Sequence, residues 1–219
     1  MKRGRISTGR QSRKLVVPKP TRKGNIKVPR EGWLNCARVT LIEDGIDGVK
    51  VDRLARRLKI SRGGFYHHFR NLQQLLNELL VMWKTQNRFT PAKIVASTPE
   101  AAGKALFQIS QDVVHENGFD PQFDMAMREW ARISHPAAEV VHEVDKERVA
   151  ALQQVFEGFG YGPREAMIRA RIYYWHQIGY YAAGFREPTS ERVRNLSVYL
   201  DVLAGEKYRV PRKRIGRSR

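Results

Sequence analysis

Between residues 59 and 70 the chain reads KISRGGFYHHFR, a stretch that breaks helix-making rules while concentrating hydrogen-bond donors. Gly63 and Gly64 each cost roughly 1 kcal/mol in a helix relative to alanine, so their place between two helical segments needs a reason. Around them stand Ser61, Arg62, Tyr66 and His67, a set of hydroxyl, guanidinium and imidazole groups suited to phosphate oxygens. Arg62 can serve a phosphate or the acceptor edge of guanine. Ser61 occupies an expected helix N-cap, ahead of a first turn whose N–H groups favour an anion. Lys50 and Arg70 flank the stretch as further cations. Two residues without side chains would let the backbone lie close against a phosphate-lined groove, and His68 and Phe69 are expected to turn inward.

Helical spacing dominates from Glu31 to Ala204, and no run of strict alternation argues for a strand. A first helix is expected over Glu31–Glu43, with Leu34, Ala37, Val39 and Leu41 inward and Gly45 closing it. Short helices follow over Val51–Leu58 and Arg62–Phe69, and a longer one over Asn71–Asn87 with Asn71 as its cap. Two prolines in FTPAKIVASTPE (Phe89–Glu100) mark a boundary. Beyond it come helices over 99–116, 120–134, 137–159, 163–186 and 189–204, with Pro99, Pro121, Pro136, Pro163 and Pro188 near their starts. The expected architecture is all-α: a disordered basic arm over 1–30, a small helical unit with its connecting helix over 31–88, a larger helical unit over 99–206, and a disordered basic tail over 207–219.

Leu54, Leu58, Ile60 and Phe65, with small Ala55 between them, have the spacing of two short helices crossing steeply at a tight turn. This is the helix-turn-helix layout, whose second helix enters the major groove. Residues 31–83, and above all GIDGVKVDRLARRLKISRGGFYHHFRNLQQLL, resemble the DNA-binding motif of the TetR family of bacterial transcriptional regulators. The match rests on Ala37, Gly45, Ala55, Ile60, Ser61, Gly63, Tyr66, His68, Phe69 and Leu75. The resemblance implies a homodimer that binds double-stranded DNA at a two-fold operator, and a C-terminal helical domain that takes a small inducer and pairs with the second subunit. Three positions depart from the family pattern. Lys59 stands at the turn glycine, where a left-handed backbone would cost it roughly 1–2 kcal/mol. Leu72 replaces a phosphate-contacting lysine, and Lys50 replaces the threonine that caps the second helix.

The C-terminal part is less legible. Phe119, Phe123, Met127 and Trp130 form one stripe, and Ile168, Ile172, Trp175, Gly179 and Ala182 another. Trp130, Tyr173, His176 and Gln177 could line a mainly apolar inducer pocket with a few orienting polar groups; packing is the plainer role for each. Arg128 fits an ion pair better than a ligand clamp. Val193, Leu196, Leu200 and Leu203 repeat like a coiled-coil seam. With Trp175, Gly179 and Ala182 on the preceding helix they form the expected dimer interface, the alternative being that both stripes close an internal core.

The net charge of +18 is confined to the two ends of the chain: residues 1–30 carry eleven Lys or Arg and residues 207–219 seven, without an acid, and the charges between balance. Such arms bind polyanions through counterion release. A solubility role, or for the first 30 residues a transit peptide, is the alternative. The longest apolar runs fall far short of the roughly 20 residues that span a bilayer, so no membrane partner is expected. The lone Cys36 offers no disulfide or metal cluster and fits a cytoplasmic protein. No cofactor and no catalytic residue is expected: VHEVDK (Val141–Lys146) has Lys146 where a zinc-protease helix needs its second histidine, and His67 and His68 diverge. Two rival readings stand beside a regulator: an architectural nucleic-acid binder driven by the basic ends, and a helical carrier or enzyme retaining a relic motif.

Overall fold

A computed structural model describes residues 28–86 and 96–205. Among them the chain forms nine α-helices and one 3-10 turn, with no strand. The helices are α1 (Arg30–Asp44), α2 (Val51–Leu58), α3 (Gly63–Tyr66), α4 (Leu72–Gln86), α5 (Pro99–Val114), α6 (Pro121–Ala131), α7 (His135–Gly158), α8 (Pro163–Ala182) and α9 (Thr189–Ala204); the 3-10 turn, Ile46–Gly48, joins α1 to α2. Residues 1–27 of the basic arm and the whole basic tail lie outside the described residues; Arg30, assigned to the arm, is the first residue of α1.

Proline and side-chain caps set the helix starts. Pro99, Pro121 and Pro163 open their helices, where the missing N–H costs nothing. Asn71 Oδ1 accepts from the Gln74 N–H at 2.9 Å, Thr98 Oγ1 from Ala101 at 3.2 Å, and Asp120 Oδ1 from Phe123 at 3.1 Å. Gly45 ends α1 at φ 70°. α8 stops at Ala182, short of the expected 186, because Gly184 at φ 72° turns the chain. α3 is also shorter than expected. Only Gly63–Tyr66 is regular helix, entered through 3-10-type bonds from Gly64 N–H to the Ser61 carbonyl (3.1 Å) and from Phe65 N–H to that of Arg62 (3.0 Å). Arg62 takes the cap position, so the expected N-cap at Ser61 is corrected: no side chain caps α3.

The packing divides into two clusters. Trp33, Leu41, Leu54, Phe65, Leu75, Leu79 and Trp83 form a core that continues into Phe123, Met127 and Trp130 of α6 and Val141 of α7. The expected boundary falls largely outside the described residues, but this core crosses it: α1 and α4 rest on α6 and α7. Charged contacts reinforce the seat. Arg38 pairs with Asp120 and lies over the Phe123 ring at 5.2 Å, tying α1 to α6. Arg30 pairs with Glu78, donates to the His68 carbonyl and covers the Phe69 ring at 4.3 Å. The second cluster joins α5, the end of α7, α8 and α9 through Leu106, Ile109, Leu152, Phe156, Tyr173 and Leu200.

A buried polar network links α6, α7 and α8. Arg128 donates to both Asp145 oxygens (2.8 and 2.9 Å), to Asp124 (2.8 Å) and to the Tyr174 hydroxyl (3.0 Å). Arg148 lies 3.5 Å from Asp124 and 3.3 Å from the same hydroxyl, which donates to Asp145 at 2.5 Å. Arg148 also lies over the Trp83 ring of α4 at 5.5 Å. Burial disfavours the Arg128 cation, but the Asp145 bonds and the neighbouring charges outweigh it and raise its pKa.

Between α2 and α3, Lys59 adopts φ 57°, ψ 39°, with Ile60 N–H reaching the Ala55 carbonyl at 3.0 Å, the bond pattern of a Schellman turn. This left-handed lysine is the strain expected from the sequence. Lys59→Gly should therefore raise unfolding stability by about 1 kcal/mol, read from urea denaturation; an unchanged or lower midpoint would show that the lysine is not strained there.

Candidate nucleic-acid interface

Four residues cannot hold themselves as a helix, so the direction in which α3 points is decided by what it buries. Phe65 is fully enclosed, edge-on to Trp33 of α1 at 5.3 Å and stacked on Phe69 at 5.2 Å. Its burial contributes roughly 2–3 kcal/mol. Phe69 is buried, and His68 lies half-buried with Nε2 2.9 Å from the Val28 carbonyl, so both turn inward as expected. The opposite face of α3 is left to solvent: Ser61, Arg62, Gly63, Tyr66 and His67 are exposed, with Lys50 at the start of α2 and Arg70 beyond α3. Leu54 and Ala55 are buried where α2 meets the core.

The two glycines part company. A Cβ on Gly63 would meet nothing nearer than Ser61 Oγ at 3.7 Å, so that position faces outward. A Cβ on Gly64 would point to Ile60 Cδ1 at 3.4 Å and the Trp33 ring at 3.6 Å. The expectation that both bare the backbone to a groove is corrected: Gly64 faces the Trp33 indole, because consecutive helical residues point about 100° apart.

The cations of α2 and α3 are not equivalent. Arg57 is held by Asp44 (3.0 Å) and Glu43, and Arg53 by Asp44 (3.2 Å), which staples α2 to α1. Arg62 lies with Nε 3.0 Å from Asp52 Oδ1. The Tyr66 hydroxyl first, then Asp52, raise its pKa. Asp52 is the residue sequence reasoning missed, because a search for donors passes over an acid. Lys50 makes no side-chain capping bond, so α2 goes without the cap that threonine would give.

Residues 34–79 match the family model described as bacterial regulatory proteins, tetR family. The chain carries a TetR-family helix-turn-helix DNA-binding domain. A curated relative, the Transposon Tn10 TetC protein of Escherichia coli, is 29% identical over 97 residues, 42% of this chain and 48% of that protein. The chain thus spans about half the length of the curated relative it matches. The fold is similar to that of a transcriptional regulator from Rhodococcus sp. Rha1, with TM-score 0.58 and 20% identity over 81% of this chain and 95% of that one. It is also similar to apo AibR, with TM-score 0.52 and 15% identity over 77% and 96%. At these identities the likeness is one of fold.

Behind the TetR-family domain, a small cleft of about 40 Å³ opens between α5, α8 and α9. Tyr173, His176 and Gln177 line it, together with Ser110, Tyr180 and Arg192. Trp130 does not: it is buried in the core shared by α1, α4, α6 and α7, which corrects its assignment to a pocket. Tyr173 bonds Ser110 at 2.8 Å, and burial pushes its phenol pKa up. Burial, then the Arg192 charge, lower the His176 pKa from its ordinary value. Arg192 donates to the Val114 carbonyl at 3.2 Å and covers the Tyr180 ring at 4.8 Å, closing the end of α5.

The expected dimer residues divide by burial. Leu196 (7% exposed) and Leu200 (1%) belong to the internal core, and Leu203 packs against it, so this seam closes the chain on itself. Trp175, Gly179 and Ala182 are exposed with Ile168 and Ile172 as a stripe on α8, and Val193 is exposed on α9. Val198 and Val202, which the heptad reading passed over, are exposed at 61% and 74%.

The glycine geometry gives a paired test. Gly63→Ala should leave the unfolding midpoint unchanged or slightly higher yet weaken duplex binding roughly tenfold, the scale of one or two lost phosphate contacts. Gly64→Ala should bind DNA as the parent does. Equal DNA affinity for both variants would refute the outward assignment of Gly63.

Proposed function

We propose that the protein is a ligand-responsive transcriptional regulator, by default a repressor, which binds a palindromic operator as a homodimer. The observation that carries this is the solvent face of α3: outward Ser61, Arg62, Tyr66 and His67, with bare Gly63 among them, while Phe65 locks the helix to the core. That arrangement fits a recognition helix in a major groove, with hydroxyl and imidazole donors on phosphates and a guanidinium for a base edge.

The exposed stripe Ile168, Ile172 and Trp175, beside Gly179 and Ala182 with no side-chain bulk, supports pairing with a second copy. Large apolar side chains in a row on adjacent surface helices are costly unless covered. A small, mainly apolar inducer would enter at the cleft between α5, α8 and α9, where His176, Gln177 and Tyr180 could orient it once the helices part, since about 40 Å³ is too small for it in this arrangement. Tyr173 and Tyr174 are neighbours on α8, one bonded at the cleft and the other in the buried network that reaches Trp83 of α4. A ligand that rotates α8 would disturb both, and α4 carries the DNA-binding helices. Such a ligand needs only different affinities for the two arrangements.

Selection from random duplex DNA tests the reading. The full chain should enrich a palindrome with half-sites about 10 base pairs apart, centre to centre, or a multiple of that; failure to enrich any consensus would reject it. Removing residues 1–27 and 207–219, while keeping the docked Arg30, should lower salt-dependent affinity and preserve the preference for that palindrome. An architectural binder driven by its ends would lose nearly all binding. Tyr66→Ala should weaken all duplexes alike. Ile172→Glu, on a side chain already exposed, should leave each subunit folded but shift a dimer to monomer in sedimentation equilibrium, since an unpaired buried charge costs several kcal/mol.

A further inference from the structure

The Asp52–Arg62 ion pair joins α2 to α3 at little gain in stability. Both side chains are well exposed, about 60% each, and a solvent-exposed ion pair adds little to stability. Asp52 nonetheless places a carboxylate beside the exposed donors of α3, Ser61, Arg62, Tyr66 and His67. A negative charge facing phosphate weakens binding to every duplex, so its place there calls for a gain confined to some sequences.

The atom through which the pair meets supplies that gain. Asp52 Oδ1 lies against Nε of Arg62, not against its terminal nitrogens. A guanidinium presents five N–H groups in a rigid fork. Asp52 and Tyr66 together engage only part of the fork, and guanine O6 and N7 accept two parallel bonds from the N–H groups that remain. Tyr66 stands beside the same guanidinium from the next turn. A long side chain held between α2 and α3 before DNA arrives loses less rotamer freedom when it binds.

We propose that Asp52 is a positioning residue that determines specificity: its ion pair holds the Arg62 guanidinium between α2 and α3 so that the remaining N–H groups read a guanine in each half-site. This rests on the reading of the chain as an operator-binding regulator. Asp52 contributes discrimination at the expense of affinity, and removing its charge moves the two in opposite directions. A purely structural Asp52, for example one that favours the positive end of α2, would move stability and leave base preference unchanged.

The test uses the full chain and the palindrome selected by the parent protein. Parent, Asp52→Asn, Arg62→Lys and the double variant are titrated at one salt concentration against that palindrome, its single-base variants and an unrelated duplex. Asp52→Asn should lower the preference for guanine at one symmetric position roughly tenfold, the scale of a lost bidentate contact. Its affinity for the unrelated duplex should rise about twofold to fivefold as a repulsion is removed. Arg62→Lys, which keeps the charge without the fork, should lose preference at the same position, and the double variant should lose no more than either single one. Unaltered guanine preference in Asp52→Asn, or a uniform change at all positions, overturns the proposal. A parent protein that selects no consensus overturns the regulator reading itself, an outcome distinct from a consensus indifferent to Asp52.

Discussion

The two arginines and two aspartates buried between α6, α7 and α8 constrain the rest of the molecule more than any apolar contact does. Taking an ion out of water costs several kcal/mol even after relaxation, and removing one partner from such a set costs roughly 3–5 kcal/mol. Arg128, Arg148, Asp124 and Asp145 escape that penalty only while every bond is made, with the Tyr174 hydroxyl as the shared junction. Leucines in the same space would tolerate a helix sliding by a fraction of a turn. A bidentate contact between Arg128 and Asp145 does not, because the fork must meet both oxygens. The network therefore fixes the mutual register of three helices, and its value lies in specificity of arrangement more than in adhesion.

That register reaches the DNA-binding helices by two routes. Arg148 lies over Trp83 near the end of α4, and Lys84 beside it pairs with Glu143 at 3.0 Å, so α4 is seated on α7. Arg38 on α1 pairs with Asp120, the residue that also caps α6. α1 and α4 in turn enclose Phe65 and Phe69, which aim α3. Displacing α6 and α7 together would carry the recognition face as a unit, whereas displacing them relative to each other would load α1 and α4 in different directions. A packed interior transmits such a load because it has few voids to absorb it.

Sequence reasoning reached the helices because punctuation residues act locally. Prolines at helix starts, the Asn71 cap, Gly45 at φ 70° and the strained Lys59 each exert their effect within one turn of chain. It also separated inward His68 and Phe69 from outward Tyr66 and His67. It failed where a neighbour distant in sequence decides. Gly64 faces Trp33, some thirty residues earlier, and nothing near it announces that. Trp130 reads equally well as pocket or core, and only the seat of α1 and α4 on α6 makes it core. On α9 the heptad seam was real, but the same 3–4 spacing serves an internal contact and an external one. Leu196 and Leu200 took the internal face, which left Val198 and Val202 outside.

If the chain is the operator-binding regulator proposed above, its charge is distributed so that affinity and discrimination fall to different parts of it. The whole excess of +18 lies at the two ends, in segments that carry no acid. Counterion release makes such segments grip any duplex, with a salt dependence that grows with each phosphate neutralised. The folded face spends its cations differently. Arg53 and Arg57 are engaged by Asp44 and Glu43 to hold α2 on α1, and Arg62 is engaged by Asp52. Arginines of α2 and α3 that are already paired to acids gain little from meeting phosphate at large. The face gains when a base edge offers an arginine better geometry than bulk solvent does. Strong non-specific attraction from the ends makes that restraint on the face useful, since without it the ends would hold the protein with near-equal strength on every sequence it met.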